Sequence, residues 1–392
     1  VKYKLTDQLK HIVALPRWYP NKVDIQLGIF NQRQLLLLKD DFQITVIYVQ
    51  AIGDQALRHK QETNRVTPSF TEHLIYFRSA KGPFRKLINF IRFNRAQKLG
   101  MAAITDKIDA FHIHVPYRTA LPALRAHRKS NIPYFITEHW SGHLNGLYLK
   151  KNSVDRLFYR LVLKKARAIS TVSVVLQKAF KKNTEFDSTL IPNVIEKMGQ
   201  NSVEDLIVSP TIEILTVGDL IDETKNHSGL LEAFNSALQL NQNLRLTLIG
   251  GGPDEEKIHA LVRKLNIPSK NINLTGRQNH DFVLEAMHQC DFYICNSRYE
   301  TFGMTIAEAL LSGKPVVSTK CGGPEEFLTA NNSLLIEVNN ILNQTGDATL
   351  RDAILKMAAT YQNYDHLAIS EDIANIFGKE AVRQKWLSFL KI

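Results

Sequence analysis

Three cysteines among 392 residues, Cys290, Cys295 and Cys321, cannot build a disulfide framework, and no CxxC-type spacing suggests a metal site. All three fall near strand-like stretches and read as small buried hydrophobes. No apolar run approaches the ~20 residues that cross a bilayer. The dinucleotide fingerprint GxGxxG and the phosphate loop GxxxxGK[ST] are both missing. The stretch Val1–Pro16 lacks a signal peptide's long apolar core and cleavage site, so a reduced, cytoplasmic setting is expected. Together these absences argue against a disulfide-stapled secreted domain, a zinc module and a P-loop enzyme.

Acid is scarce in the first half. Val1–Ile195 carries 32 Lys and Arg against 13 Asp and Glu, whereas the remainder carries 17 against 25, for a net charge of +11. Halves of opposite sign suggest two domains with different partners, and the length suits two domains of roughly 190 residues. A basic half can meet nucleic acid, an anionic membrane or a phosphorylated substrate. No RNP, zinc-finger or helix-turn-helix signature accompanies the charge, so nucleic acid is the poorest of these readings.

Short β-branched runs alternate with helical stretches throughout, which implies βαβ units and parallel sheets. Strands fit His11–Leu15, Gln43–Val49, Leu74–Arg78, Ala110–Val115, Tyr134–Glu138, Ala168–Val172 and Thr189–Ile191 in the first half. In the second half they fit Ile212–Val217, Leu244–Ile249, Ile272–Thr275, Phe292–Cys295, Pro315–Ser318 and Leu334–Val338. A linker spans Pro192–Pro210. The expected architecture is α/β: two doubly wound, Rossmann-like domains, residues 1–195 and 196–378, facing across a cleft lined by the carboxyl ends of the strands.

Candidate chemistry gathers in the loops at those ends. Gly28 precedes a helix. His112 and His114 share one face of a strand, but no third ligand stands near, so packing or substrate hydrogen bonding outweighs a metal reading. Thr137, Glu138, His139 and Trp140 cluster where a strand ends, and His139 is expected to face the cleft. Gly218 and Asp219 lead to Lys225. Three glycines, Gly250 to Gly252, precede Pro253, and Gly276 precedes Arg277. The most informative stretch is Asp291–Phe327, which reads as strand, loop, helix, turn, strand and glycine loop. A helix from Phe302 or Gly303 to Leu311 would present unpaired N–H groups to a phosphate, with Gly303 permitting close approach. Glu300 and Glu308 flank that start. Anion-binding groups beside carboxylates suit a sugar nucleotide.

These residues resemble the retaining GT-B-fold glycosyltransferases of the family 4 type. The resemblance rests on the E-x(7)-E pattern of Glu300 and Glu308, followed by Gly313 to Val317 and Gly322 to Glu325. Supporting matches are Thr137 to His139, Thr171 to Ser173, Ile191 to Asn193, Val217 and Gly218 with Lys225, and Gly250 to Pro253. The resemblance implies transfer of a hexosyl group from a nucleoside-diphosphate sugar, with retention and without a divalent metal or cofactor. It implies Glu300, His139 and Lys225 as catalytic residues. Donor contacts would come from Gly28, Gly218, Lys225, Arg277, Arg298, Phe302, Gly303, Met304, Thr305 and Glu308. Glu300 would hold the sugar, Glu308 the ribose, and Lys225 the diphosphate. The C-terminal stretch Lys379–Ile392 is expected to return to the first domain. Asp219 departs from the family pattern, which has arginine there; Arg298 is the favoured replacement, with Arg277 and Arg17 as others. A GT-B epimerase or a non-catalytic sugar-nucleotide-binding protein is the alternative.

One more stretch stands apart. Phe84–Lys98 combines five cations with three phenylalanines on a helix. It suits an anionic membrane surface serving a lipid-linked acceptor, peripheral at the inner face of the cell membrane. The other reading is a helix with its apolar stripe on the sheet and its cations in water.

Overall fold

The computed structural model describes residues 9–53, 61–196, 210–338 and 346–392. Most of the expected linker lies outside them. The chain divides into two compact units: Val1–Val172 with Leu176–Val194 and Val382–Ile392, and Ser173–Val175 with Ile195–Ala381.

In the first unit the described residues form β1 (His11–Pro16), α1 (Ile29–Leu36), β2 (Gln43–Ile52), β3 (Gln61–Thr67), β4 (Phe70–Arg78), α2 (Arg85–Ala102), β5 (Ala110–His114), α3 (Leu121–Ser130), β6 (Tyr134–Glu138), α4 (Ser153–Lys165), β7 (Ala168–Thr171), α5 (Val174–Thr184) and β8 (Thr189–Leu190). The sheet order is β3-β4-β2-β1-β5-β6-β7-β8. Every pairing is parallel except β3 with β4. The antiparallel edge was not expected, because QETNRVT is polar and mostly exposed and carries no buried-strand pattern. By contrast β1 is buried at all six positions, as befits a central strand covered on both faces.

The second unit contains β9 (Ile212–Val217), α6 (Asp222–Lys225), α7 (His227–Leu238), β10 (Leu244–Ile249), α8 (Glu255–Lys264), β11 (Ile272–Gly276), α9 (His280–Gln289), β12 (Phe292–Cys295), α10 (Met304–Leu311), β13 (Val316–Thr319), β14 (Ser333–Ile336), α11 (Gly346–Thr360) and α12 (His366–Phe377). Its order is β11-β10-β9-β12-β13-β14, all parallel. Local chemistry fits the helices. Glu255 and Glu256 occupy the first turn of α8 and Arg263 and Lys264 its last, each sign matched to the helix dipole. Asn279 and Asp365 cap α9 and α12 by accepting N–H bonds of 2.8 and 2.9 Å. All three cysteines are free and buried.

Each sheet reverses its winding once, between β1 and β5 in the first unit and between β9 and β12 in the second. At such a point two crossovers diverge and leave a crevice outside the carboxyl ends of the strands. Helix α13 (Lys379–Phe389) ends the chain, and Trp386, fully buried, joins Val382 and Leu390 in the first unit's core beside Ile12, Tyr19 and Phe135. That core is closed by a helix about 200 residues distant from the rest of the unit. Trp386→Ala is therefore expected to cost about 3–5 kcal/mol. Urea unfolding monitored on the first unit measures this, and a loss below about 1 kcal/mol would contradict the packing.

Candidate functional site

In the second unit the chemistry converges on the switch point. Gly218 and Asp219 follow β9, and Asn296 to Glu300 follow β12. Short α6 ends at Lys225, whose successor Asn226 takes a left-handed conformation (φ 51°) that starts α7. Lys225 Nζ lies 2.5 Å from Glu300 Oε1, and the same oxygen accepts from Ser297 Oγ at 2.7 Å. The two side chains keep 26% and 16% of their surface in solvent, so the pair is shielded yet reachable. Burial works against the lysine's charge, but the Glu300 carboxylate outweighs it and raises the lysine pKa, so Lys225 is a fixed cation. Glu300 is held by its main chain as well. Its N–H donates to Cys321 O at 2.7 Å, and its carbonyl accepts from Gly323 N–H at 3.0 Å.

Helix α10 begins at Met304, slightly later than the earliest expected start, with Gly303 as its cap at φ 84°. A side chain at that glycine would be strained, and its Cβ would come within 2.6 Å of Pro324 Cγ. Phe302 buries its ring against Phe327 and Phe377, so only its main chain faces the loop. The first N–H groups of α10 are the donors that a helix leaves unused. Thr305 Oγ1 meets Tyr293 OH at 2.8 Å, and that hydroxyl also donates to Val217 O at 3.1 Å. Tyr293 thus ties the end of β9 to the first turn of α10. In sequence it reads as one more apolar strand residue, and only the fold exposes its hydroxyl's role. Glu308 is buried just over one turn into the helix, with His280 Nε2 3.8 Å away.

The arginines take definite positions. Arg277 Nη2 pairs with Asp219 Oδ1 at 2.8 Å, so the acid that departs from the family pattern has a counter-ion on the neighbouring loop. Arg298 directs Nη1 to the carbonyls of Asp222 and Glu223 at 2.8 and 3.0 Å and Nη2 to Asn226 Oδ1 at 3.0 Å. Its guanidinium braces the turn from which Lys225 projects. A small polar cavity joins Thr216, Lys225, His227, Ser297, Glu300 and Thr305. A larger cavity of about 300 Å³ lies elsewhere, among Glu213, Arg245, Asn273 and Phe282. The smaller one is the candidate site, because among the described residues the fixed cation, paired acid and helix N-terminus meet there.

In the first unit Gly28 caps α1 at φ 64°, close against Trp18. Arg17 stacks over Trp18 and Tyr117. His139 is 6% exposed, its ring 4.8 Å from Phe30 and stacked 5.6 Å from His114. His112 and His114 pack ring to ring at 4.1 Å, and His112 Nε2 meets Thr137 Oγ1 at 2.7 Å. Glu138, legible in sequence only as part of a cluster, is the brace. Its Oε1 accepts the N–H groups of His139 and Trp140 at 2.9 and 2.7 Å, while Oε2 accepts from Tyr159 OH. Burial opposes the carboxylate's charge, but His143 and these bonds hold its pKa below the usual value.

Two family models match this chain: Glycosyltransferase Family 4 over residues 36–197 and Glycosyl transferases group 1 over residues 200–358. An uncharacterised glycosyltransferase of Methanocaldococcus jannaschii is 29% identical over 62% of this chain and 66% of its own length. The N-acetylgalactosamine-N,N'-diacetylbacillosaminyl-diphospho-undecaprenol 4-alpha-N-acetylgalactosaminyltransferase of Campylobacter jejuni is 31% identical over 45% of this chain and 49% of its own. The chain thus spans less than two thirds of the length of these curated relatives. HepE of Anabaena, solved with UDP and glucose, superposes with a TM-score of 0.68 at 15% identity, covering 98% of this chain and 99% of that one. Each half thus matches a glycosyltransferase family model, and the fold is GT-B.

The histidine cluster carries a pH signature. Burial pushes His112 down to about 3 and His139 to about 4, and His114 falls well below its ordinary value. Unfolded, all three titrate near 6.5. Above that pH neither state is protonated and the cluster has no effect. As pH falls below 6.5 the unfolded chain gains protons first, so stability is lost. Between pH 6.5 and 5 the unfolding free energy should fall by up to about 1.4 kcal/mol per pH unit for each histidine. Urea titrations at fixed pH test this, and a slope unaltered by His112→Asn with His114→Asn would contradict a buried neutral cluster.

Proposed function

We propose that this chain is a glycosyltransferase that moves a hexosyl group from a nucleoside-diphosphate sugar to a glycan or lipid-linked acceptor, retaining anomeric configuration. The observation that carries the reading is the Lys225–Glu300 pair at the β9/β12 switch point, beside the N-terminus of α10. Without substrate, lysine and glutamate neutralise each other. A donor diphosphate is the stronger anion and takes Lys225, together with the N–H groups of Gly303 to Thr305. Glu300, released, accepts hydrogen bonds from the sugar hydroxyls, and buried Glu308 receives the ribose.

The bond from the anomeric carbon to the diphosphate oxygen breaks with its electron pair on the leaving group. The acceptor oxygen forms the new bond and passes its proton to the departing diphosphate oxygen. Negative charge therefore grows on the diphosphate, where Lys225 and the helix N–H groups are already aimed. One such donor is worth about 10²–10³ in rate. Metal independence in this reading rests on that positive field. Pairing of Asp219 with Arg277 supports an enzyme over a non-catalytic binder, because Asp219 was the main reason to consider the latter. We assign Arg277 to the rim beside the base, Gly218 to close approach beside Lys225, and Arg298 to positioning Lys225. In the first unit, His139 and Gly28 are assigned to substrate contact, since both lie at the carboxyl ends of its strands. The Campylobacter relative's diphospho-undecaprenol-linked name supports a lipid-linked acceptor. Attachment to an anionic membrane through Phe84–Lys98 belongs to the same reading.

Lys225→Ala and Glu300→Ala are each expected to lower transfer by at least about 10² while the protein stays folded. Release of free nucleoside diphosphate in the presence of acceptor measures it. Full activity in purified Glu300→Ala protein would sink the assignment. A thermal-shift panel of UDP, GDP, ADP and their sugars identifies the base, since a ligand at 100 times its Kd stabilises by about 2.7 kcal/mol.

A further inference from the structure

Two helices of the first unit leave apolar side chains in solvent. In the first three turns of α2 no side chain is fully buried, although Ile88 and Phe93 are half-buried and Phe93 packs against Phe77; the buried residues are Ala96, Gln97 and Gly100. Phe84, Leu87 and Ile91 are 71%, 59% and 44% exposed. The stripe is thus laid on the sheet only in part: Phe93 packs there, whereas Phe84, Leu87 and Ile91 face solvent. Helix α4 is apolar on two faces. Tyr159, Val162 and Leu163 enter the core, whereas Val154, Leu157 and Leu161, at i, i+3 and i+7, remain 76%, 71% and 50% exposed. A soluble helix ordinarily turns its second face to water with polar groups.

A continuous strip of cations on aromatic rings joins the two helices. Arg118 lies 5.3 Å over Phe90 of α2, next in sequence to Tyr117. Lys151, just before α4, lies 4.5 Å over Tyr117 and 4.8 Å over Trp140. Tyr117 and Trp140 sit in the loops after β5 and β6, at the same sheet edge as His139.

Charge decides what covers this surface. From Arg78 to Asp187 the sequence holds 22 Lys and Arg but only six Asp and Glu, and Asp187 is paired with Lys181. Glu138 is buried. Asp106 and Asp109 lie at the opposite sheet edge, bonded to Gln43 and His11 at the starts of β2 and β1. Asp155 and Glu185 stand near: Asn152 bonds both the N–H and the carboxylate of Asp155, and Arg160 of α4 pairs with Glu185 at 2.7 Å. Apolar side chains ringed by long cations that far outnumber the nearby acids match an anionic bilayer: chains enter the acyl boundary while lysine and arginine reach the headgroups.

We propose that α2 and α4 together form one docking surface for an anionic lipid membrane, with α4 as a second anchor. It would set the carboxyl edge of the first unit's sheet at the headgroup level, where a lipid-linked acceptor is presented. Only that last placement rests on the transfer reading above.

Vesicle flotation of the full chain tests it. The wild type is expected to bind phosphatidylcholine vesicles containing about 30 mol% phosphatidylglycerol, to ignore pure phosphatidylcholine, and to weaken at about 0.5 M salt. Leu157→Asp with Leu161→Asp, on the exposed face of α4, should lower affinity about tenfold or more, as should Phe84→Asp with Leu87→Asp. Wild-type binding by the α4 variant overturns the proposal. So does binding to a DNA duplex with none to vesicles. Nucleotide thermal shifts on the same samples separate the two readings. Absent vesicle binding with an intact shift overturns the surface alone, whereas absent shifts with intact vesicle binding overturn the transfer reading alone.

Discussion

The ion pair between Lys225 and Glu300 is the constraint on which the second unit's site depends. Two opposite charges at 2.5 Å, mostly withdrawn from water, persist only because each is held from behind. Arg298 fixes the turn that carries the lysine; Cys321, Gly323 and Ser297 fix the glutamate. The pair is a poor device for stability, since desolvation offsets much of what Coulomb attraction returns. It makes better sense as a stored cation and a stored acid, kept apart from solvent until a polyanion and a polyol arrive together.

The fold explains why these groups meet. Lys225 follows β9 and Glu300 follows β12, strands neighbouring in the sheet but about 75 residues apart in sequence. The reversal of winding between them opens the crevice, and α10 points its N-terminus into it. In the first unit the corresponding reversal lies between β1 and β5. There Glu138 fixes the turn that holds His139 against His114 and Phe30. Both units thus use a buried or shielded carboxylate to hold a loop at a strand's carboxyl end.

How much of this could be read beforehand varies by element. Strands β9, β10 and β12 end where their apolar runs end, because strands buried on both faces are built mostly from apolar residues. The N-terminus of α10 was legible from Gly303 and the spacing of Glu300 to Glu308. β3 was not, because a polar edge strand follows its partner's hydrogen bonds and not its own pattern. Arg298 also eluded sequence: it was favoured for the donor phosphate, but the folded chain engages it with the carbonyls of residues 222 and 223. The pairing of Asp219 with Arg277 was not legible either, since a contact across the β9 and β11 loops depends on rotamers that no spacing encodes. Likewise Tyr293 and Tyr159 hide hydroxyl functions inside apolar strand and helix patterns.

The central claim is that the lysine, the acid and the α10 N-terminus form one receptor for a sugar nucleotide. A crystal structure of the chain soaked with its stabilising nucleoside-diphosphate sugar tests this most directly. The account predicts the diphosphate against Lys225 Nζ and the N–H groups of Gly303 to Thr305, the Lys225–Glu300 contact opened, and the ribose at Glu308. A nucleotide seated elsewhere, for instance between Arg245 and Phe282, with the ion pair still closed, would contradict it.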